Sequence, residues 1–428
     1  MQHPGALPPG GILPGYNQFM KLPRAFLLIV AVTLAAAVGI LLVARPAPAP
    51  PIRIGVLHSL SGGMAASERP LVDAVRLAVE EINAAGGLLG RPVEMVVADG
   101  RSDDTVFAAE AERLITEEKV SALFACWTSG CRKMVKPVVE RHHHLMFYPL
   151  QYEGLEQSPA LYYTGSVPNQ QVIPGTLWAL ESFGKRVYLV GSDYLFPQAA
   201  NLIVRDLVKA NQGSVLAERY RPLDDADFGE LVAEIRTLKP DVVLNTLNGD
   251  SNTHFFRALH AAGLGSVPVV SFSLAEDGLK AIGPAAFHPD HYAVWSYFQS
   301  VPGEANARFV DAFRKRYGAD RVTSDPVEAA YVGVRLWAQA VSDADTDAPE
   351  QVNRAMLLQS TAAPSGIAAV DRSTRHLWKQ ARIGKARPDG QFELVWNSDD
   401  ALRPNPFPDY RSRPEWLYLL DALPGARP

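Results

Sequence analysis

Residues 124–154, FACWTSGCRKMVKPVVERHHHLMFYPLQYEG, carry a dense set of chemically competent side chains. Trp127, Thr128 and Ser129 follow one short apolar run, 123–126, and Gln151, Tyr152 and Glu153 follow a second, 145–148, that ends in Tyr148. Hydroxyl, amide and carboxylate groups beside aromatic rings suit recognition of a small polar molecule, the rings giving flat walls and the polar groups pairing its hydrogen-bonding atoms. Other chemistries lack support. Ser129, Ser192 and Ser273 sit outside any GxSxG turn, and no His/Asp arrangement can be assigned to them. A nucleophilic cysteine of the amidase type would need a Lys and a Glu nearby; Lys133 and Glu153 exist, but helix-face roles compete strongly for them. His142, His143 and His144 point in different directions from a helix end and cannot converge on one metal ion without partners. Cys126 and Cys131 form no CxxC pair, and a disulfide between them would close a very tight loop. Cys126 therefore reads as a small buried hydrophobe, with Cys131 left open. No P-loop occurs and Gly263-Leu-Gly265 lacks a third glycine, so nucleotide binding has no footing. A net charge of −5 with no basic run argues against nucleic acid. No cofactor and no metal are expected.

The elements that must hold these groups alternate strand and helix. Strands are expected at 52–58, 93–98, 123–126 and 145–148, with helices at 68–85 and 104–118 between them. From about residue 168 a second set begins, with strands at 186–190, 214–220, 241–246, 267–271 and 291–295. Hairpin-like strands follow at 366–370, 377–383 and 391–396, and the last 30 or so residues are Pro-rich and expected to be irregular. At 428 residues the chain exceeds one ordinary core, and the repetition predicts two doubly wound parallel sheets. The strand-end loops of both sets are alike. Those at 59–62, 191–196, 245–250 and 271–276 bring Tyr194, Asn248, Asp250, Ser273 and Glu276 towards a common cleft. No basic residues cluster there, Arg132 and Lys133 reading as outer-face helix residues, so a neutral ligand is expected.

The N-terminal part speaks to location. Lys21 and Arg24 precede the uncharged run 25–44, AFLLIVAVTLAAAVGILLVA, long enough for a spanning helix of about 17–25 residues. Positive charge ahead of it puts the N-terminus in the cytoplasm and the remainder outside. Ala47-Pro48-Ala49 resembles a cleavage site, so 25–44 is read as a signal or membrane-anchor helix, followed by a Pro/Ala linker at 45–51.

In order along the chain, IGVLHSLSGGMA, CWTSGCRKMVKPVVE, FYPLQYEG, TGSVPNQQVIP, VGSDYLFP, LNTLNGDSNTHFF, SFSLAED and VTSDPVEAAYVGVRLW resemble the type I periplasmic solute-binding proteins of ABC transporters. The resemblance covers about 52–408 and is closest to the urea and short-chain amide branch. It implies an α/β fold of two Rossmann-like lobes with a ligand cleft between them. Lobe 1 would be 52–166 and 295–360, and lobe 2 would be 167–294 and 361–400. A leader at 1–24 would precede them and a tail at 401–428 would follow. The implied partners are urea or a short-chain amide, the permease and ATPase of an ABC transporter, and the membrane through the N-terminal segment. Enzymatic activity is not implied. A membrane-anchored amide sensor is the alternative, and an amidohydrolase is a third. Carried onto this sequence, Trp127, Thr128, Ser129 and Tyr148 would face the ligand from lobe 1. Gln151 and Tyr152 would lie at the rim, with Glu153 as a further acceptor. Tyr194, backed by Phe196, would close from lobe 2, beside Asn248, Asp250, Ser273 and Glu276. Urea offers four N–H donors and one acceptor, and each buried donor left unpaired costs about 1–3 kcal/mol.

Overall fold

The computed structural model describes residues 23, 25–26, 28–33, 49–223 and 225–424. Most of the expected leader, of the signal or anchor helix at 25–44 and of the linker at 45–51 lies outside the described residues. Among the described residues, no helix is long and apolar enough to cross a membrane.

Strand β1 (Ile52–His58) is buried along its length except at Arg53, which suits a central position in a parallel sheet. It belongs to a five-stranded sheet with β2 (Val93–Asp99), β3 (Leu123–Ala125), β4 (Met146–Tyr148) and β5 (Leu161–Tyr163). The order is β2-β1-β3-β4-β5, and all pairs are parallel. Helix α1 (Ala65–Ala84) joins β1 to β2, α2 (Asp104–Thr116) joins β2 to β3, and α3 (Ser129–Arg141) joins β3 to β4. Leu71, Val72, Val75, Ala78 and Val79 give α1 one buried face. The chain leaves α1 through Gly87, whose φ is +79° and where a Cβ would stand 2.2 Å from the Arg91 carbonyl oxygen; no other residue fits.

A second set runs through α4 (Val172–Ser182), β6 (Arg186–Ser192), α5 (Leu195–Ala210), β7 (Ser214–Arg221), α6 (Gly229–Leu238) and β8 (Val242–Thr246). It continues with α7 (Ser251–Ala261), β9 (Val269–Ser271), α8 (Glu276–Ile282) and β10 (His291–Trp295). The next helices are α9 (Glu304–Tyr317), α10 (Asp325–Ala344) and α11 (Pro349–Met356). The first two return to α1, where Arg316 pairs with Glu80 at 2.9 Å and the Tyr331 hydroxyl donates to Glu81 at 2.5 Å. A small antiparallel sheet holds β11 (Ser360–Ala363), β12 (Gly366–Val370) and β13 (Leu377–Trp378). Strand β14 (Arg382–Ala386) then pairs antiparallel with β10, and β15 (Phe392–Asn397) antiparallel with β14, giving the order β15-β14-β10-β9-β8-β6-β7.

Two expectations need correction. The strand expected at 377–383 is broken, its first half pairing with β12 and its second with β10. The C-terminal stretch is not irregular throughout. It forms α12 (Arg413–Asp421), opened by a capping box in which Ser412 and Glu415 satisfy each other's backbone N–H groups. Trp416 is buried and its indole N–H donates to the Pro408 carbonyl at 2.8 Å.

In the first sheet β1 lies between β2 and β3, and in the second β6 lies between β7 and β8. Connections leave such a strand and its neighbour in opposite directions, opening a crevice beyond their carboxyl ends. The loops after β1, β3, β6 and β8 hold Ser59, Trp127–Ser129, Tyr194, and Asn248 with Asp250.

Candidate functional site

The turn after β3 is tightly made. Cys126 has a left-handed φ of +73°, and Thr128 caps α3 by accepting the Cys131 N–H at 3.1 Å. Cys126 and Cys131 are joined in a disulfide, with Cα atoms 5.6 Å apart. From the sequence Cys126 reads as a small buried hydrophobe and Cys131 stays open, so the bond corrects the first and settles the second. A helix rises only about 1.5 Å per residue, so a turn followed by a first helical turn brings residues five apart into bonding range.

Beneath that turn lies an ion network that the sequence reading placed on an outer helix face. Arg132 is fully buried. Its guanidinium donates to Glu153 at 2.5 Å, to Glu156 at 3.0 Å and to Ser129 at 3.3 Å. It lies 4.4 Å from the Tyr152 ring centre and 5.0 Å from that of Tyr148. Lys133 and Lys136 approach the same Glu156 at 3.7 and 3.5 Å. Burial alone would raise the Glu156 carboxyl; Arg132, Lys136 and Lys133 together bring it down to about 2. The histidines diverge, His142 reaching Glu112 and His144 the Val120 carbonyl, each at 2.7 Å.

Several predicted site residues belong to this network rather than to open space. The Ser129 hydroxyl donates to Glu153 at 2.7 Å, so both Glu153 oxygens are occupied. The Tyr148 hydroxyl donates to the Trp127 carbonyl at 2.6 Å. Tyr152 is not at a rim: it is buried in a stack with Tyr163 and His376, its hydroxyl 2.5 Å from His376 Nε2. Asn248 folds back on its own loop, its backbone N–H donating to Ser192 Oγ at 3.0 Å and its side chain to the Thr246 carbonyl at 3.2 Å. Glu276 is buried at the first position of α8, one oxygen accepting the Gln299 N–H at 2.7 Å and the other without a partner among the described residues. Burial pushes its carboxyl up to about 8.

The others line two cavities flanking the 126–130 turn. The larger, of about 380 Å³, takes Thr128 from the first sheet and Tyr194 from the second, with Ser59, Glu68, Ser102 and Asp104. Phe107 and Leu223 complete its apolar wall. Burial raises the Asp104 carboxyl above the usual range, and it carries the half-buried Tyr194 hydroxyl well above its own, with Tyr148 and the Glu153 carboxylate adding to the effect. The smaller cavity, of about 190 Å³, is lined by Trp127, Asp250 and Ser273 together with Asp277 and Trp295. Asp250 precedes α7 without capping it through its side chain. Gln151 spans the two sheets beside this cavity, its amide donating to Ser273 Oγ at 3.0 Å and to the Phe272 carbonyl at 3.3 Å, while its oxygen is buried without a partner. Phe196 is buried, its ring 6.4 Å from that of Tyr194.

Glu68, Ser102 and Asp104 were not singled out from the sequence. Acidic residues in first helical turns are common as helix-end charges, and only the sheet order shows which helix starts face the crevice.

Residues 52–413 match the model of the periplasmic binding protein domain. The chain belongs to the periplasmic binding protein family. It is a solute-binding protein with a mixed α/β fold of parallel sheets, and the family's location is extracytoplasmic. It is 23% identical over 377 residues to Leu/Ile/Val-binding protein homolog 8 of Brucella melitensis biotype 1, covering 82% of this chain and 92% of that protein. A solute-binding protein of an ABC transporter from Rhodopseudomonas palustris BisB5, in complex with 3,4-dihydroxybenzoic acid, superposes with a TM-score of 0.75. The two share 20% identity over 82% of this chain and 98% of that one. Branched-chain amino acid transporter substrate-binding protein LivJ from Streptococcus pneumoniae, in complex with isoleucine, superposes at 0.73 with 21% identity, covering 83% and 100%. At such identities these structures speak to fold. A shorter match, 33% identical over 139 residues, is to limonene hydroxylase of Geobacillus stearothermophilus, but the chain spans a quarter of that protein and 31% of its own length. The relatives matched over most of their length are solute-binding proteins, not enzymes.

Proposed function

We propose that this chain is the receptor of an ABC transporter for urea or a short-chain amide, holding the solute between two lobes and delivering it to the permease and ATPase. Lobe 1 is residues 52–166 with 295–360, and lobe 2 is residues 167–294 with 361–400. Residues 25–44 export the chain or tether it to the membrane. Thr128 and Tyr194 meet the solute in the larger cavity; Trp127, Gln151, Asp250 and Ser273 serve the smaller one. Ser129, Tyr148 and Tyr152 hold the turn from behind.

One observation carries the reading. The larger cavity is lined by hydroxyl and carboxylate oxygens from strand ends of both sheets, and among the described residues no Lys, Arg or His lines it. Such a wall suits a solute made of N–H donors. A carboxylate-bearing solute would face Glu68 and Asp104 with no cation to receive it, and like charges at close range repel. Calorimetric titration with urea, acetamide, formamide and leucine tests the proposal. Binding of urea or an amide is expected; tight binding of leucine alone would overturn it.

A further inference from the structure

We propose that Glu68 and Asp104 select the solute, and that the larger cavity prefers a planar cation rich in N–H donors, an amidinium or guanidinium group, over its neutral isostere urea. This rests on the reading of that cleft as the solute site. Glu68 is 1% exposed yet lines the cavity. Its Oε2 accepts the Ser59 N–H and meets His58 Nδ1, each at 3.0 Å. Both of these contacts fall on Oε2, and no hydrogen bond from the described residues reaches Oε1, which leaves that acceptor to whatever occupies the cavity. A carboxylate oxygen facing the cavity without a protein donor can accept a solute N–H.

Asp104 completes the pair. It stands at the start of α2, but the helix is capped by its neighbour: Asp103 accepts the Thr105 and Val106 N–H groups at 2.8 and 3.2 Å. The Asp104 carboxylate instead lies against Gly130, where a Cβ would come within 2.1 Å of Oδ2, so the glycine keeps room for the carboxylate at the cavity wall. Its hydrogen bond to Thr128 Oγ1 is long, at 3.5 Å. Cations nearby are engaged elsewhere: Arg132 with Glu153 and Glu156, and Arg69 with the Leu60 carbonyl. Two carboxylates that face the cavity, with no Lys or Arg among the described residues paired to either and only the His58 ring beside Glu68, match a planar cation, whose paired N–H groups engage a carboxylate in bidentate fashion. Phe107 gives the same cavity an aromatic wall.

The full chain would be titrated calorimetrically with acetamidinium, low-millimolar guanidinium, urea, acetamide, leucine and benzoate, in the wild type and in Asp104→Asn and Glu68→Gln. At least one cation is expected to bind tenfold more tightly than urea. Asp104→Asn should lower the cation-to-urea affinity ratio at least tenfold, its near-ultraviolet circular dichroism confirming an intact fold. Glu68→Gln, where it folds, should act in the same direction. Urea binding with no preference for either cation would overturn this inference and leave the proposed function standing. An unchanged ratio in a folded Asp104→Asn protein would overturn the assignment of the selecting residue. Binding confined to leucine or benzoate would overturn both.

Discussion

Arg132 shows how one residue can set the character of a whole turn. A guanidinium sealed from water is tolerated because Glu153, Glu156 and Ser129 take its N–H groups and two tyrosine rings cover it. Arg132→Met would leave two carboxylates buried beside only the more distant Lys133 and Lys136. Stability should fall by about 3–5 kcal/mol in denaturant titration, and Arg132→Met with Glu153→Gln should recover part of that loss. Glu276 is the opposite case, a buried carboxyl without a cation, pushed up to about 8 from 4.5. An unfolded glutamate loses its proton near its ordinary value, whereas the folded one keeps its proton until about pH 8. The folded state thus binds more protons between those values, and stability declines as pH rises across the window. Glu276→Gln keeps an acceptor for the Gln299 N–H and removes the titration. Its melting temperature should therefore fall less between about pH 5 and pH 8 than that of the wild type; parallel curves would contradict the assignment. Glu156 acts with the other sign, since a carboxyl held at about 2 loses its stabilising charge as pH falls from its ordinary range toward that value.

At the scale of elements, the decisive piece is the turn between β3 and α3, pinned by a disulfide, a Thr128 cap and the Tyr148 hydroxyl on the Trp127 carbonyl. Replacing both Cys126 and Cys131 with alanine should cost about 2 kcal/mol for so short a loop and weaken solute binding, because Trp127 and Thr128 line different cavities on either side of that turn. Tyr194→Ala should weaken binding at least tenfold, about 1.4 kcal/mol, with little change in melting, since its ring is only half-buried. The strand–helix alternation and the polar strand ends were legible in the sequence, because apolar runs such as IRIGVLH and VVLNT stop abruptly at small polar residues. What was not legible came from long-range packing. Nothing local tells that Arg132 points to carboxylates 21 and 24 residues later, while the adjacent Lys133 reaches only one of them. The prolines at 404, 406, 408 and 414 hid α12, although Ser412 and Glu415 carried a capping-box signature that would have revealed it.

At the scale of the molecule, the segments crossing between the two sheets are braced to one another. Ser166 and Ser296 hydroxyls meet at 2.7 Å, Lys379 donates to the Thr164 carbonyl at 2.8 Å, and Asp325 accepts the Ser296 and Tyr297 N–H groups at 3.0 and 2.9 Å. On the proposed reading these crossings would act as a hinge, and closure would bring Tyr194 toward Thr128 without remaking either core. The C-terminal strap packs away from the larger cavity. Its Pro406 carbonyl accepts the Leu155 N–H at 2.7 Å, Asn405 donates to Asn169 at 2.9 Å, and Arg411 pairs with Asp206 at 2.7 Å, while α12 seats Trp416 in the core of the second sheet. None of its described residues lines the larger cavity. Trp416→Ala should therefore lower stability by about 3–5 kcal/mol while leaving solute affinity, and the decrease in radius of gyration by small-angle scattering on adding saturating solute, unchanged below the melting transition. A Trp416→Ala protein that melts normally but no longer contracts with solute would instead place the strap within the closing mechanism.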